Sequence, residues 1–263
     1  MVYQTHKKMQ EQFNELTDSQ WQIIQKYLSV QRKRKHCLRN ITNAILWLVR
    51  TGGQWRNLES KYPKWQTVYY YFRQWKKAGI IENIHAELVK MERKRQKRDE
   101  SPSLGSIDTQ TVKIVPFISD DKGVDGNKKI NGRKRHIIVD TCGLIIAVIV
   151  HAANISDTAG AKTIFEKLKG KFPRLIKILA DEGYKTSAVE WVKTSFNWVL
   201  EIVQKVDVPK GFLPQKHRWQ VERTFSWLSF FRRLSKDYEK SVESSEAMIQ
   251  LALISIMLNR QTK

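Results

Sequence analysis

Three acidic residues stand where a carboxylate has to be accounted for. Asp108 follows Ser106 and Ile107 inside a β-prone segment, where a charge is costly unless something compensates it. Asp181 directly follows Ile176-Lys177-Ile178-Leu179-Ala180, at the carboxyl end of an expected strand, the edge at which sites form in open α/β sheets. Glu222 lies in an expected helix whose apolar stripe is Val221, Phe225, Leu228 and Phe231, and it shares the neighbouring polar stripe with Arg218, Ser226, Ser229 and Arg233. Two strand-end aspartates and a helical glutamate in a basic chain suit hard divalent cations bound through oxygen, and Mg²⁺ favours carboxylates together with water and phosphate oxygens. Two such ions about 3.5–4 Å apart activate a nucleophile and stabilise the leaving oxygen in phosphoryl transfer. On spacing alone, plainer readings stand beside this one. Asp181 is equally a cap or turn residue, and Glu222 an intrahelical partner of Arg218. Glu182 is an alternative to Asp181, but neighbours along an extended exit point to opposite sides, which favours Asp181.

The elements that must position these groups can be read from periodicity. Residues 17–85 are helical in pattern. Thr17-Asp18-Ser19-Gln20 offers capping-box chemistry ahead of Trp21, Ile24 and Leu28, and residues 38–50 place Ile41, Ile45, Leu48 and Val49 on one stripe ended by Gly52-Gly53. A short helix fits 55–61, Pro63 breaks it, and 66–77 forms the next, so the order is helix, tight turn, helix. That last helix carries Tyr69, Tyr70, Tyr71, Arg73, Gln74, Lys76 and Lys77 against an apolar face of Val68, Phe72 and Trp75, which suits a DNA major groove or a solvated surface. Residues 90–103 read as a basic linker, either solvated or on phosphate. From 104 onward the pattern is β: a strand over 104–115, a hairpin of 135–140 and 144–150 around Thr141-Cys142-Gly143, and short strands over 175–180 and 198–203. Helices are expected over 157–169, 186–194, 217–234 and 242–259. The order implies a mixed sheet covered by helices on both faces.

Charge narrows the partners. The 263 residues hold 47 basic and 26 acidic side chains, a net charge of +21 and an isoelectric point near 10, so nucleic acid or an acidic membrane surface is the expected partner. The longest apolar stretches, 137–153 and 248–258, are too short for a membrane span of about 18–20 residues. Residues 1–15 carry no signal-peptide core, and two distant cysteines, Cys37 and Cys142, give neither disulfide framework nor zinc site. A cytoplasmic location follows as the expectation. Lys128, Lys129, Arg133, Lys134 and Arg135 put five positive charges within eight positions of the hairpin edge, a phosphate track or a lysine-rich guard against edge pairing. His136 and His151 show no metal-ligand spacing and read as structural.

Local strings then point to a family. Ser106-Ile107-Asp108-Thr109-Gln110-Thr111-Val112-Lys113 resembles the first-aspartate segment of DDE-type transposases of the insertion sequence five family. Asn131-Gly132-Arg133-Lys134-Arg135-His136-Ile137-Ile138-Val139-Asp140 resembles that family's basic hairpin, and His151-Ala152-Ala153-Asn154-Ile155-Ser156-Asp157 the segment after it. Leu179-Ala180-Asp181-Glu182-Gly183-Tyr184 is similar to the second-aspartate segment, and Arg218-Trp219-Gln220-Val221-Glu222-Arg223-Thr224-Phe225-Ser226-Trp227 to the glutamate helix. Leu46-Trp47, the stretch from Arg50-Thr51-Gly52-Gly53 to Leu58, and Trp65-Gln66-Thr67-Val68-Tyr69 resemble the family's helical domain. The likeness runs over roughly 15–260 in matching order. It departs where many relatives carry a tyrosine, here Gln215, and a later lysine, here Ser229 with Arg232 and Arg233 nearby.

The resemblance implies an α/β, ribonuclease-H-like mixed sheet flanked by helices, preceded by a small all-α helix-turn-helix-like domain. The implied division is 1–89 for DNA binding, 90–103 as linker and 104–263 for catalysis. Asp108, Asp181 and Glu222 would be the catalytic triad and hold Mg²⁺, with Mn²⁺ as substitute and two ions in all. The implied reaction is cleavage at transposon ends followed by 3′-hydroxyl transfer into target DNA. Partners would be double-stranded DNA, contacted by Lys128, Lys129, Arg133, Lys134, Arg135, Arg218, Tyr70, Arg73, Gln74 and Lys77, and a second copy in a synapse. Neither a membrane nor a small-molecule substrate is expected. A DNA-binding regulator with a dead catalytic domain and a hydrolytic nuclease on the same fold are the alternatives.

Overall fold

Apolar residues at helical spacing build the first stretch of chain, and alternating ones the second. The computed structural model describes residues 13–28, 35–184, 186–203 and 219–261, divided between two units. One unit takes in Met1–Leu88, Trp227–Ser235 and Ala247–Lys263; the other takes in Val89–Ser226 and Lys236–Glu246.

The first unit is helical. Helix α1 (Asp18–Gln25) starts at the expected capping box: Gln20 N–H donates to Thr17 Oγ1 at 3.2 Å, and Thr17 N–H donates to Gln20 Oε1 at 3.1 Å. Helix α2 (Leu38–Thr51) buries Ile41, Ile45, Leu48 and Val49, and Gly52 ends it at φ +75°. A side chain at Gly52 would strain that left-handed turn and sit 2.9 Å from Arg232 Cβ. The expected short helix is a 3₁₀ turn, Trp55–Asn57, whose Trp55 ring meets Tyr69 edge-on at 5.0 Å. Helix α3 (Trp65–Lys77) follows, and Gln20 Nε2 donates to Asn259 Oδ1 at 3.0 Å.

Helix α4 (Ile80–Arg95) extends the helical pattern through the first half of the basic run. Glu92 and Arg93 are buried there; Arg93 pairs with Asp140, and Glu92 with Arg95 at 2.8 Å. At these two positions the run has a role that neither solvent nor phosphate supplies.

The second unit is built on a mixed sheet of β1 (Leu104–Lys113), β2 (Gly123–Asp125), β3 (Ile130–Asp140), β4 (Ile145–Ala152), β5 (Lys177–Ala180) and β6 (Val199–Ile202). The order is β2-β3-β1-β5-β6, with β4 sharing the outer edge of β3. β1–β3, β2–β3 and β3–β4 are antiparallel, whereas β1–β5 and β5–β6 are parallel. Consecutive Ile137, Ile138 and Val139 are all buried, so both faces of β3 are covered, as the hairpin pattern predicts. Helices α5 (Asp157–Leu168) and α6 (Thr186–Phe196) pack on one face through Ile164, Phe165 and Val192. Each such side chain contributes roughly 1.5–3 kcal/mol.

One expectation needs correction. The long helix over 217–234 is α7 (Trp219–Ser229) followed by a 3₁₀ turn, Arg232–Leu234. Phe230 and Phe231 N–H groups donate to the carbonyls three residues back, which tightens and ends the helix. The last helix, α8 (Val242–Gln261), falls where expected and buries Met248, Leu251, Ile254 and Leu258.

Close approach at Gly132 gives a direct test of the β1–β3 pairing. A Cβ there would lie 1.9 Å from the Val112 carbonyl oxygen, whereas one at Gly126 meets nothing within 4 Å. Gly132→Ala is therefore expected to cost about 3 kcal/mol or more in urea unfolding, and Gly126→Ala less than about 0.5 kcal/mol.

Candidate functional site

The β1–β5 pairing does the positioning. Its register ends at Ser106 opposite Leu179. Two residues further along both chains stand Asp108, still within β1, and Asp181, one residue past β5. Because side chains alternate, each aspartate shares a face with the member of the Ser106–Leu179 pair on its own strand, and neighbouring strands lie about 4.7–4.9 Å apart. Both are half-buried, while Glu182 is exposed. Asp108 Oδ1 accepts from Thr109 N–H at 2.6 Å, and Asp181 Oδ1 accepts from Gly183 N–H at 3.0 Å. Asp108 therefore lies mid-strand in β1, and Asp181 directly follows the parallel neighbour β5.

Glu222 lies on the exposed face of α7, opposite Val221, Thr224 and Leu228. Thr224 Oγ1 donates to the Gly143 carbonyl at 2.7 Å and Arg223 Nη2 to the Cys142 carbonyl at 2.8 Å, which ties this helix to the β3–β4 turn. Arg223 also lies over the Trp219 ring, 4.2 Å from its centroid. Among the described residues, no three His, Cys, Asp or Glu side chains are grouped closely enough to hold a metal ion. The donors that do meet are all oxygen, which fits a hard divalent cation and not a soft one.

A third acid joins the neighbourhood. Asp157, the first residue of α5, receives Lys134 Nζ at 2.9 Å and Thr109 Oγ1 at 3.4 Å. A Cβ on Gly183 would lie 3.0 Å from Asp181 Oδ1 and 3.6 Å from Asp157 Oδ2, so the two carboxylates flank that glycine. Sequence gave no sign of this beyond an acid at a helix start.

The basic residues separate sharply. Lys128 and Lys129 are exposed in the β2–β3 turn, which Asp125 holds by accepting from the N–H groups of Asn127 and Lys128 at 3.0 and 3.1 Å. Burial would raise the Asp125 pKa, but these bonds and one from Thr111 hold it below the usual range. Arg133, Lys134 and Arg135 are buried and withdrawn from the phosphate track. Arg133 is engaged with backbone carbonyls, Lys134 with Asp157, and Arg135 with the Lys236 carbonyl at 3.3 Å. Alternation along β3 cannot expose three consecutive residues when both faces are covered. Burial pushes Arg135 down to about 10 against the pull of Asp237. Arg218 and Gln215 lie outside the described residues. In the helical unit, Tyr70, Arg73, Gln74 and Lys77 are exposed on α3 while Val68, Phe72 and Trp75 are buried, so the polar face expected to meet DNA is open.

His136 and His151, with nothing to link them in sequence, meet across β3 and β4. His151 Nδ1 lies 3.0 Å from the Ala152 carbonyl, which can only accept, so Nδ1 carries the proton. His151 Nε2 then accepts from His136 Nδ1 at 3.4 Å, and His136 Nε2 accepts from the Tyr184 hydroxyl at 2.6 Å. Tyr184 N–H closes the turn onto the Asp181 carbonyl at 3.2 Å, so this buried chain ends at the second aspartate. Both histidines are thus engaged by hydrogen bonds within their own unit.

Comparison with known proteins adds the following. Residues 16–85 match the family described as "Putative transposase of IS4/5 family", and residues 99–258 match the family described as "Transposase DDE domain". A Burkholderia cepacia protein described as "Putative transposase for insertion sequence element IS402" is 28% identical over 137 residues, covering 49% of this chain and 64% of the relative. An uncharacterized protein of Sinorhizobium fredii is 28% identical over 79 residues, 28% of this chain and 63% of the relative. The chain thus spans less than two thirds of either relative. No helix among the described residues is long and apolar enough to cross a membrane.

Burial, reinforced by the nearby His151 and Lys134 charges, holds His136 down to about 3, and burial lowers His151 as well. Unfolded histidine takes its proton near pH 6.5, so this stability is fully present above that pH and lost as pH falls from there toward 3. The urea midpoint is expected to drop between pH 7 and pH 5, and His136→Gln to flatten part of that slope. His85 in the helical unit, which burial pushes down to about 4 against the pull of Glu82, supplies a further part. A slope left unchanged by His136→Gln would exclude this origin.

Proposed function

The chain belongs to the transposase DDE domain family, and on that premise we propose that it is a transposase acting on double-stranded DNA. Its catalytic core is a ribonuclease-H-like sheet, residues 104–263 carry the chemistry, and residues 1–89 bind DNA. Water cleaves the phosphodiester at a transposon end and frees a 3′-hydroxyl. That hydroxyl then attacks a target phosphodiester, forming one P–O bond as another breaks. The observation that supports this reading is the parallel pairing of β1, which carries Asp108, with β5, which Asp181 directly follows.

Asp108, Asp181 and Glu222 would hold Mg²⁺, or Mn²⁺ in its place, as two ions. When bound, the metal supplies charge neutralisation and Lewis-acid activation of the attacking and leaving oxygens. The protein's own part is orientation. Thr109 N–H and Gly183 N–H fix one oxygen of each aspartate, and the Asp181–Tyr184 turn is braced from beneath by His136. Lys128 and Lys129 hold phosphates, and Tyr70, Arg73, Gln74 and Lys77 of α3 meet the duplex, with Arg218 preceding the glutamate helix. A homodimer, holding two ends in a cytoplasmic synapse, completes the reading.

Purified protein incubated with DNA containing its own gene and flanks, plus a supercoiled target, tests this. Metal-dependent nicks at two inverted flanking sequences and joined target are expected, EDTA abolishing both. Asp108→Asn should lower cleavage by about 10²–10³-fold or more while leaving DNA binding in place. Cutting without joining would make the protein a nuclease, and binding with neither a DNA-binding regulator.

A further inference from the structure

Phe117 is 82% exposed, the most exposed large apolar side chain among the described residues. It is not left out by looseness. Ile118 N–H donates to the Val115 carbonyl at 3.2 Å, closing a turn with Pro116 and Phe117 at its two central positions. Proline at the first of these presets the backbone for such a turn. The flanking Val115 and Ile118 are 7% and 4% exposed, so the apolar residues on either side are buried and pin the turn while the aromatic ring faces outward.

The return of the loop is fixed as firmly. Arg133 is fully buried and places all five of its donors. Nη2 donates to the Asp120 and Lys240 carbonyls at 2.8 and 3.0 Å, Nη1 to the Glu239 carbonyl at 2.8 Å and to Ser245 Oγ at 3.3 Å, and Nε to the Asp121 carbonyl at 3.2 Å. Asp237 balances its charge at 3.5 Å. A buried, hydrogen-bonded arginine thus anchors a loop whose corner presents a phenylalanine to water.

The surroundings are lysine-rich. Lys113 pairs with Gly132 and Gly132 with Gly123, so the Phe117 loop and the turn carrying Lys128 and Lys129 share one end of the sheet. Lys113, Lys122, Lys128 and Lys129 are exposed there, against exposed Asp120 and Asp121. Lysine is depleted at protein–protein interfaces, whereas a positive groove with a projecting aromatic ring is what single-stranded nucleic acid uses.

We propose that Phe117 stacks on an unpaired base of DNA while Lys113, Lys122, Lys128 and Lys129 hold the adjoining phosphates. This rests on DNA being the substrate, as proposed above. It gives the loop a task distinct from that of the carboxylates: to hold a strand opened at a frayed or nicked end.

The test uses the full-length protein and two fluorescein-labelled DNAs of the same sequence, one fully paired and one forked with an unpaired arm carrying 2-aminopurine at the junction. Phe117→Ala is expected to weaken binding to the fork about tenfold and remove the 2-aminopurine quench, with duplex binding changed less than twofold and the salt slope unchanged. Phe117→Trp should restore the fork preference. Lys128→Ala with Lys129→Ala should weaken both DNAs and flatten the salt slope by about two. Equal binding of Phe117→Ala and wild type to the fork would overturn the stacking role while leaving the DNA reading intact. A wild-type dimer that Phe117→Ala turns into a monomer, with DNA binding unaltered, would assign the ring to a second copy and overturn it too. Failure of the wild type to bind either DNA at low salt would overturn both this proposal and the reading it rests on.

Discussion

Carboxylates carried on neighbouring strands repel each other, and a fold that places them so must supply the restraint from elsewhere. Here the restraint is the parallel ladder of β1 and β5. It pairs the strand that holds Asp108 with the strand that Asp181 follows, and neither local propensity nor the chain's basic composition could do so. The rest of the unit serves that register: α5 and α6 cover one face of the sheet, and Thr109, Gly183 and Tyr184 tie down the ends. The positive surplus of the chain then has a local meaning, because an acidic pair in a basic protein is a place where cations and phosphate oxygens can meet.

Much of this was legible in the sequence, for physical reasons that can be stated. Asp181 announces itself because a charge directly after an apolar run has few structural excuses, and Asp108 because a charge inside a strand is costly unless compensated. The polar face of α3 was legible because helical periodicity separates Tyr70, Arg73, Gln74 and Lys77 from Val68, Phe72 and Trp75. The basic hairpin was misread in part, since five charges in eight positions look exposed until both faces of β3 are known to be covered. Lys128 and Lys129 sit in the turn and are exposed; Arg133, Lys134 and Arg135 sit in the strand and are buried. Where the turn ends and the strand begins decides the role of each.

Other features had no signal along the chain. His136, His151 and Tyr184 come together only through the β3–β4 register and the turn after β5, and the direction of their hydrogen bonds is set by one backbone carbonyl. Asp157 comes near Asp181 because α5 begins beside Gly183, a proximity no spacing rule encodes. Buried polar chains of this kind are costly when half-satisfied and specifying when complete, which makes them properties of tertiary structure.

The Arg133 clamp also bears on the order in which the protein can form. Its partners Glu239 and Lys240 lie 106 and 107 residues further along the chain. Until that stretch has left the ribosome, the guanidinium has no place to bury its charge and the loop above it has no floor. Contacts of such long sequence separation are slow to close and come late. The end of the sheet that carries the lysines is therefore set only once residues 239 and 240 have been made, and a product truncated before that stretch would lack it.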